Sequence, residues 1–99
     1  MRTISSQKYL DPQIVEEKRE NEDYVAFYVI VEIEDEEYRV VVDGHHSIAA
    51  AKADGVKIEL ELATQELVDF AASDPDDFMT QHQLDSDWYD INTGRNVWQ

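Results

Sequence analysis

Asp43, Gly44, His45, His46 and Ser47 form the one short run in which this chain sets several chemically capable side chains side by side. Imidazole titrates near neutrality and is the commonest metal ligand. Around this run, Val40 to Gly55 reads as a buried strand, a tight glycine turn and an alanine-rich helix closed by glycine. A strand that passes through glycine into a helix leaves several backbone N–H groups unpaired and aimed at one spot. Helix dipole and free donors together make that spot favour an anion. A metal is the weaker reading. Adjacent histidines turn only one ring easily toward a given point, His82 lies far along the chain, and a catalytic metal needs about three protein ligands. No metal site is expected, and Asp43 is assigned to holding a histidine ring or capping the helix. Nothing positions Ser47 beside His46 as a nucleophile, so no serine–histidine–acid arrangement is built here.

A second constellation is acidic. Glu32, Glu34, Asp35, Glu36 and Glu37 cluster about one point, and Asp74, Asp76, Asp77, Asp85, Asp87 and Asp90 form a second concentration. Carboxylates repeated at intervals of several ångströms imitate phosphate spacing. Trp88, Tyr89 and Trp98 stand beside the second cluster as candidate anchors for a partner. The plainer alternative is a solvated turn and a hairpin whose aromatics complete the core.

The charge balance bears on partners. Ninety-nine residues carry 23 acids and 8 bases, a formal net charge of −15. Residues 1–10 hold +2, residues 11–39 hold −8, residues 40–68 hold −3 and residues 69–99 hold −6. Affinity for a nucleic-acid backbone comes mainly from Lys and Arg displacing counterions, so direct nucleic-acid binding is disfavoured. A basic protein surface is the better electrostatic match, and plain solubility is the competing explanation. There is no cysteine, which removes disulfides and thiolate zinc sites and suits the cytoplasm. No apolar run approaches the roughly 20 residues that cross a bilayer, and Met1 to Ser5 lacks a signal-peptide core.

These groups must be positioned by one small domain, since the length is too short for two. Tyr24 to Ile33 is rich in β-branched and aromatic residues and reads as a strand. Glu34 to Glu37 is a charged turn, and Tyr38 to Val42 is the returning strand of a hairpin. Val40, Val41 and Val42 run without alternation, which predicts a strand covered on both faces. A helix starts near His46 or Ser47, with Gly55 at its C′ position. Val56 to Leu62 alternates strictly and reads as a half-buried strand. Thr64 caps a helix ending near Ser73, and Pro75 opens another running to about His82. Trp88 to Trp98 reads as a hairpin with Gly94 in the turn, placing a C-terminal aromatic hairpin at about 86–99. Tyr9 to Val15 reads as a loop entering a helix at Pro12, and Arg19 to Asp23 as a mobile polar connection.

The run from Asp43 to Gly55 resembles the signature turn of the ParB/sulfiredoxin superfamily. That signature is a glycine, a few polar or basic residues including an arginine, then a small-residue helix closed by glycine. Gly44, Ala50, Ala51 and Gly55 match it, and the resemblance covers roughly residues 38–62. It implies a phosphate- or nucleotide-binding turn at Asp43, Gly44, His45, His46 and Ser47. Two departures limit what carries over. Ser47 stands where relatives have an arginine, whose charge and bidentate fork serine does not replace. His45 stands where sulfiredoxin has its catalytic cysteine, so sulfiredoxin chemistry is excluded.

The expected fold is therefore α+β, a small mixed sheet with short helices on a ParB/sulfiredoxin-like plan. The expected function is non-enzymatic and needs no cofactor: an acidic protein that binds a basic surface. Its concrete form is a phage- or plasmid-borne nucleic-acid mimic that inhibits a nucleic-acid-handling enzyme, in the anti-restriction or anti-CRISPR manner. Glu34 to Glu37, Asp74, Asp76, Asp77, Asp85 and Asp87 form the expected binding face. The alternative is a small nucleotide-binding or nuclease domain using Gly44, His45 and His46.

Overall fold

The hairpin of residues 25–43 is the axis on which everything else is hung. In the computed structural model, which describes residues 1–98, β1 (Arg2–Ser5) leads to α1 (Pro12–Glu20), then β2 (Val25–Ile33) and β3 (Glu36–Asp43). There follow α2 (His45–Asp54), β4 (Glu59–Leu62), α3 (Gln65–Ser73), α4 (Pro75–Gln81) and the short β5 (Tyr89–Asp90). The five strands make one mixed sheet in the order β4-β2-β3-β1-β5. The central pair is antiparallel, β4 and β1 run parallel to their neighbours, and β5 runs antiparallel to β1. The protein is a small α+β fold.

The uninterrupted valines of β3 have the meaning their pattern implied. Val40 packs into one cluster with Ile4, Val29, Val31, Phe78 and Trp88, while Val41 packs into another with Ala26, Ile48 and Ile91. Neighbouring strand residues face opposite ways, so the sheet is covered on both faces, by α3 and α4 on the first and by α2 on the second. The first cluster is the larger and is closed by Phe78, edge-on to Phe70 at 5.6 Å.

Three elements depart from expectation. Arg2–Ser5 is a strand that the sequence hides, because only Ile4 is strongly apolar; Thr3, Ser5 and Ser6 are buried with it. The alternating segment 56–62 yields a strand only at Glu59–Leu62, and its residues are mostly exposed. Val56 is held back by donating its N–H to Ala51 as α2 ends, and β4 pairs only with Val25–Tyr28 of β2. Arg19 and Glu20 belong to α1, and the connection that follows is tied rather than loose: Asp23 accepts from Lys18 at 2.9 Å. Pro12 does open its helix, with Asp11 accepting from the N–H of Gln13 at 2.9 Å. The chain near the C-terminus folds back on Gly94, with Val97 donating to Trp88 and Asp90 donating to Arg95. Gln99, the end of the expected 86–99 hairpin, lies outside the described residues.

Candidate functional site

The turn that joins β3 to α2 is built around Gly44. Its φ of +93° lies in the left-handed region, and a Cβ there would sit 2.6 Å from the Cα of Ala26. Glycine is thus required twice, by backbone conformation and by close approach to β2. Asp43 accepts from the N–H of Gly44 at 2.8 Å. It neither holds a histidine ring nor caps the helix, whose cap residue is Gly44 itself. At the far end Gly55, with φ of +66°, lets Val56 donate to Ala51 at 2.9 Å and Gly55 to Lys52 at 3.3 Å, a Schellman closure.

Each polar side chain in the first turn of α2 is engaged by a different part of the N-terminal segment. His45 is buried at 7% exposure and shares a 2.7 Å hydrogen bond with the hydroxyl of Ser5. Its pKa is lowered from the ordinary 6.5, chiefly because burial disfavours the charged ring; His46 adds to this, while Asp43 and Asp85 oppose it. His46 accepts the N–H of Asp11 on Nε2 at 3.1 Å, which requires that nitrogen to carry no proton. Ser47, 1% exposed, donates to Asp23 at 3.3 Å. The turn therefore fastens the end of β1, the start of α1 and the start of β2 to one helix end. The partners stand 24 to 40 residues upstream, a separation that no local pattern reports.

The other end of α2 is fastened as well. Asp54 accepts from Arg19 and from the hydroxyl of Tyr24, each at 2.7 Å. Those two bonds lower its pKa, that of Tyr24 first. Asp23 is likewise held low, chiefly by Lys18.

On the opposite face the acidic clusters meet. Glu34 in the β2–β3 turn and Asp76 at the start of α4 line one groove of about 370 Å³ with Ile33, Met79, Trp88 and Trp98. Thr80 lines this groove and also a neighbouring cleft that contains Asp85 and Asp87. From residue 58 to residue 94 there is no Lys or Arg. Among the described residues, none of Glu34, Asp35, Glu36, Glu37, Asp74, Asp76, Asp77, Asp85 and Asp87 forms an ion pair. Glu34 and Asp35 have φ of +51° and +67°, a two-residue turn of type I′ built without glycine or asparagine.

The expected face is not uniform. Asp85 accepts the N–H groups of Lys8 at 2.6 Å and Tyr9 at 3.1 Å, so its carboxylate clamps the N-terminal segment. Glu36 accepts from the hydroxyl of Tyr38 at 2.6 Å, which raises the pKa of that phenol. The three aromatic anchors divide as well. Trp88 belongs to the core, Trp98 is 37% exposed and edge-on to Tyr38 at 5.2 Å, and Tyr89 lies with the second cluster on the opposite face, beside Lys8. Sequence reasoning missed Met79 and Ile33 as groove walls; both are ordinary apolar residues whose facing depends on helix placement.

His82 stacks on Phe78 at 4.4 Å between ring centroids. Among the described residues no three His, Asp or Glu side chains gather as a metal site, and no helix is long and apolar enough to cross a membrane. No protein-family model, curated protein or solved structure matches the chain.

Proposed function

We propose that the protein is a non-enzymatic, cytoplasmic binding protein whose acidic groove face engages the basic surface of a nucleic-acid-handling enzyme. On this reading it is a nucleic-acid mimic carried by a mobile element, of the anti-restriction or anti-CRISPR type. The observation that carries it is the convergence of Glu34 and Asp76, 42 residues apart in sequence, on one groove floored by Met79 and Trp88 and edged by Trp98. Unpaired carboxylates steer a basic partner and suit Lys and Arg side chains, while an exposed tryptophan supplies contact area and a cation–π face.

The strained turn supports the same reading. Holding Glu34 at positive φ costs on the order of 1 kcal/mol, which Asn would relieve, while Asp35 is a residue that tolerates the left-handed region. Glu34, a residue that this turn does not favour, is consistent with a position kept for its charge.

The alternative, a ParB-like nucleotide or nuclease site at Gly44, His45 and His46, rests on the glycine geometry and the amides of the α2 N-terminus. Both imidazoles, however, already hold the N-terminal segment, and Ser47 brings no charge.

The test compares partner capture by the wild-type protein and three variants. Changing Glu34, Asp35, Glu36 and Glu37 to amides, or Asp74, Asp76 and Asp77 likewise, weakens binding at least tenfold in one set, and the captured enzyme loses its nucleic acid to the wild-type protein only. The pair His45→Ala and His46→Ala leaves binding intact, provided the variant is folded. Two silent acidic sets would reduce the charge to a solubility device, and micromolar CTP or ATP binding centred on Gly44 to Ser47 would move the function to the turn.

A further inference from the structure

A cleft of about 180 Å³ opens between α2, residues 7–10 and residues 89–94, on the face away from the acidic groove. Its lining includes Lys8, Leu10, His45, Ile48, Lys52 and Ile91, and it contains no Asp or Glu. Each of the four other clefts described has at least one carboxylate in its wall. In a chain with 23 acids and 8 bases, two lysines facing an acid-free cleft run against the composition.

Each lysine is exposed and makes one contact that leaves its charge unneutralised. Lys52 donates to the carbonyl of Ile91 at 2.6 Å, and Lys8 sits 5.2 Å from the centre of the Tyr89 ring. Neither forms an ion pair among the described residues, whereas Lys18 and Arg19 do. An ammonium has three donors, so Lys52 keeps two beyond its carbonyl contact. Asp85 is occupied by the amides of Lys8 and Tyr9, and Asp90 accepts from the N–H groups of Asn92 and Thr93. Along α2, His45, Ile48, Ala49 and Lys52 form one helical stripe, which lays the cation at one end of an apolar wall.

We propose that this cleft binds a small organic monocarboxylate, with its apolar body against Leu10, Ile48 and Ile91 and its carboxylate held between Lys8 and Lys52. Size and lining set the class. About 180 Å³ equals the liquid volume of about six waters, below the range of drug-sized pockets. The apolar wall of Leu10, Ile48 and Ile91 gives an organic body contact that phosphate lacks, so an organic carboxylate is favoured over phosphate. The inference is independent of the acidic groove and stands or falls apart from it.

Benzoate is the probe, followed by two-dimensional amide spectra of the full chain. Saturable shifts at Lys8, Ile48, Lys52 and Ile91 with millimolar affinity are expected. Lys8→Gln and Lys52→Gln each weaken binding about threefold to fivefold, the value of an exposed ion pair. Benzamide, of the same shape without the charge, binds at least fivefold more weakly, and inorganic phosphate leaves the cleft unshifted. Benzamide binding equal to benzoate, or no saturable shift with benzoate, overturns the proposal. So does phosphate competing with benzoate, or benzoate shifts confined to Gly44 to Ser47, which would place the anion at the helix end instead.

Discussion

The two faces of the sheet handle charge in opposite ways. On the α1–α2 face, ions and polar groups are matched apart from Lys8 and Lys52: Arg19 with Asp54 and Glu16, Lys18 with Asp23, His45 with Ser5 and His46 with the backbone of Asp11. On the α3–α4 face the core is apolar, built on Ala71, Phe78 and Met79, and the carboxylates around it have no cation within 58–94 to meet. Polar groups therefore act as fasteners on one side and are left to solvent or to a partner on the other. A residue's chemical type did not foretell which it would be. His45 and His46, the most chemically suggestive side chains, are fasteners, as are Asp23, Asp54 and Asp85, whereas Glu34 and Asp76 at the groove form no ion pair among the described residues.

That contrast is breakable by mutation, and the largest effect falls on the fastened face. Gly44→Ala should lower stability by about 3–5 kcal/mol, combining left-handed strain with a contact 2.6 Å from the backbone of Ala26. Chemical denaturation reads this directly, and a loss under 1 kcal/mol would mean that the turn relaxes freely. Next in size, Ser5→Ala should cost about 1–2 kcal/mol by leaving the buried His45 nitrogen without its partner. By contrast, the double change Glu34→Asn and Asp35→Gly on the open face should raise stability by about 1–2 kcal/mol, through relief of the turn and reduced repulsion. The same variant should lose partner affinity, which separates folding from function at a single turn.

Acid provides a finer probe of the fastened face. The pKa of His45 is lowered in the native protein, so above the ordinary value of 6.5 both states are neutral and the ring contributes no pH dependence. Below that value the unfolded chain binds a proton that the native ring resists. Stability then falls by up to about 1.4 kcal/mol per pH unit until the native ring titrates too. Asp23 and Asp54 act in a lower window: their native pKa values lie below the ordinary 3.8, so the stability they provide is lost as pH falls beneath that value. Denaturation midpoints between pH 7 and pH 5 for wild type and His45→Gln isolate the first window; parallel curves would show that the imidazole is not what titrates. The smallest effect belongs to the open face. Raising salt to about 0.1 M shortens screening to about 10 Å and should stabilise the protein by a few tenths of a kcal/mol. The quadruple amide variant of Glu34 to Glu37 should show less of this gain.

Much of the scaffold was legible because its signals are local. The β2–β3 hairpin follows from β-branched and aromatic runs on either side of a charged turn, and α2 follows from alanines between Gly44 and Gly55. Asp11 with Pro12, Thr64, and Pro75 mark helix starts within one or two residues. Val40 to Val42 announced a sheet covered on both faces, since a continuous apolar run has no solvent side. What stayed hidden was β1, whose Thr3 and Ser5 are polar and buried, and the short reach of β4, which depends on the neighbour it pairs with.

From the sequence alone came a small α+β fold, its excess of negative charge and the two runs of polar side chains whose use remained open. Tertiary structure alone decided the use of each group. His45, His46 and Ser47 meet Ser5, Asp11 and Asp23 only because β1 lies beside β3 and α1 packs against α2. Glu34 and Asp76 share a groove only because α4 returns over the hairpin, and Lys8 joins Lys52 only because residues 7–10 run along α2. Periodicity and capping are written in neighbouring residues, whereas the partner of a polar side chain is set by chain segments tens of residues away, brought together by the burial of apolar surface on both sides of the sheet.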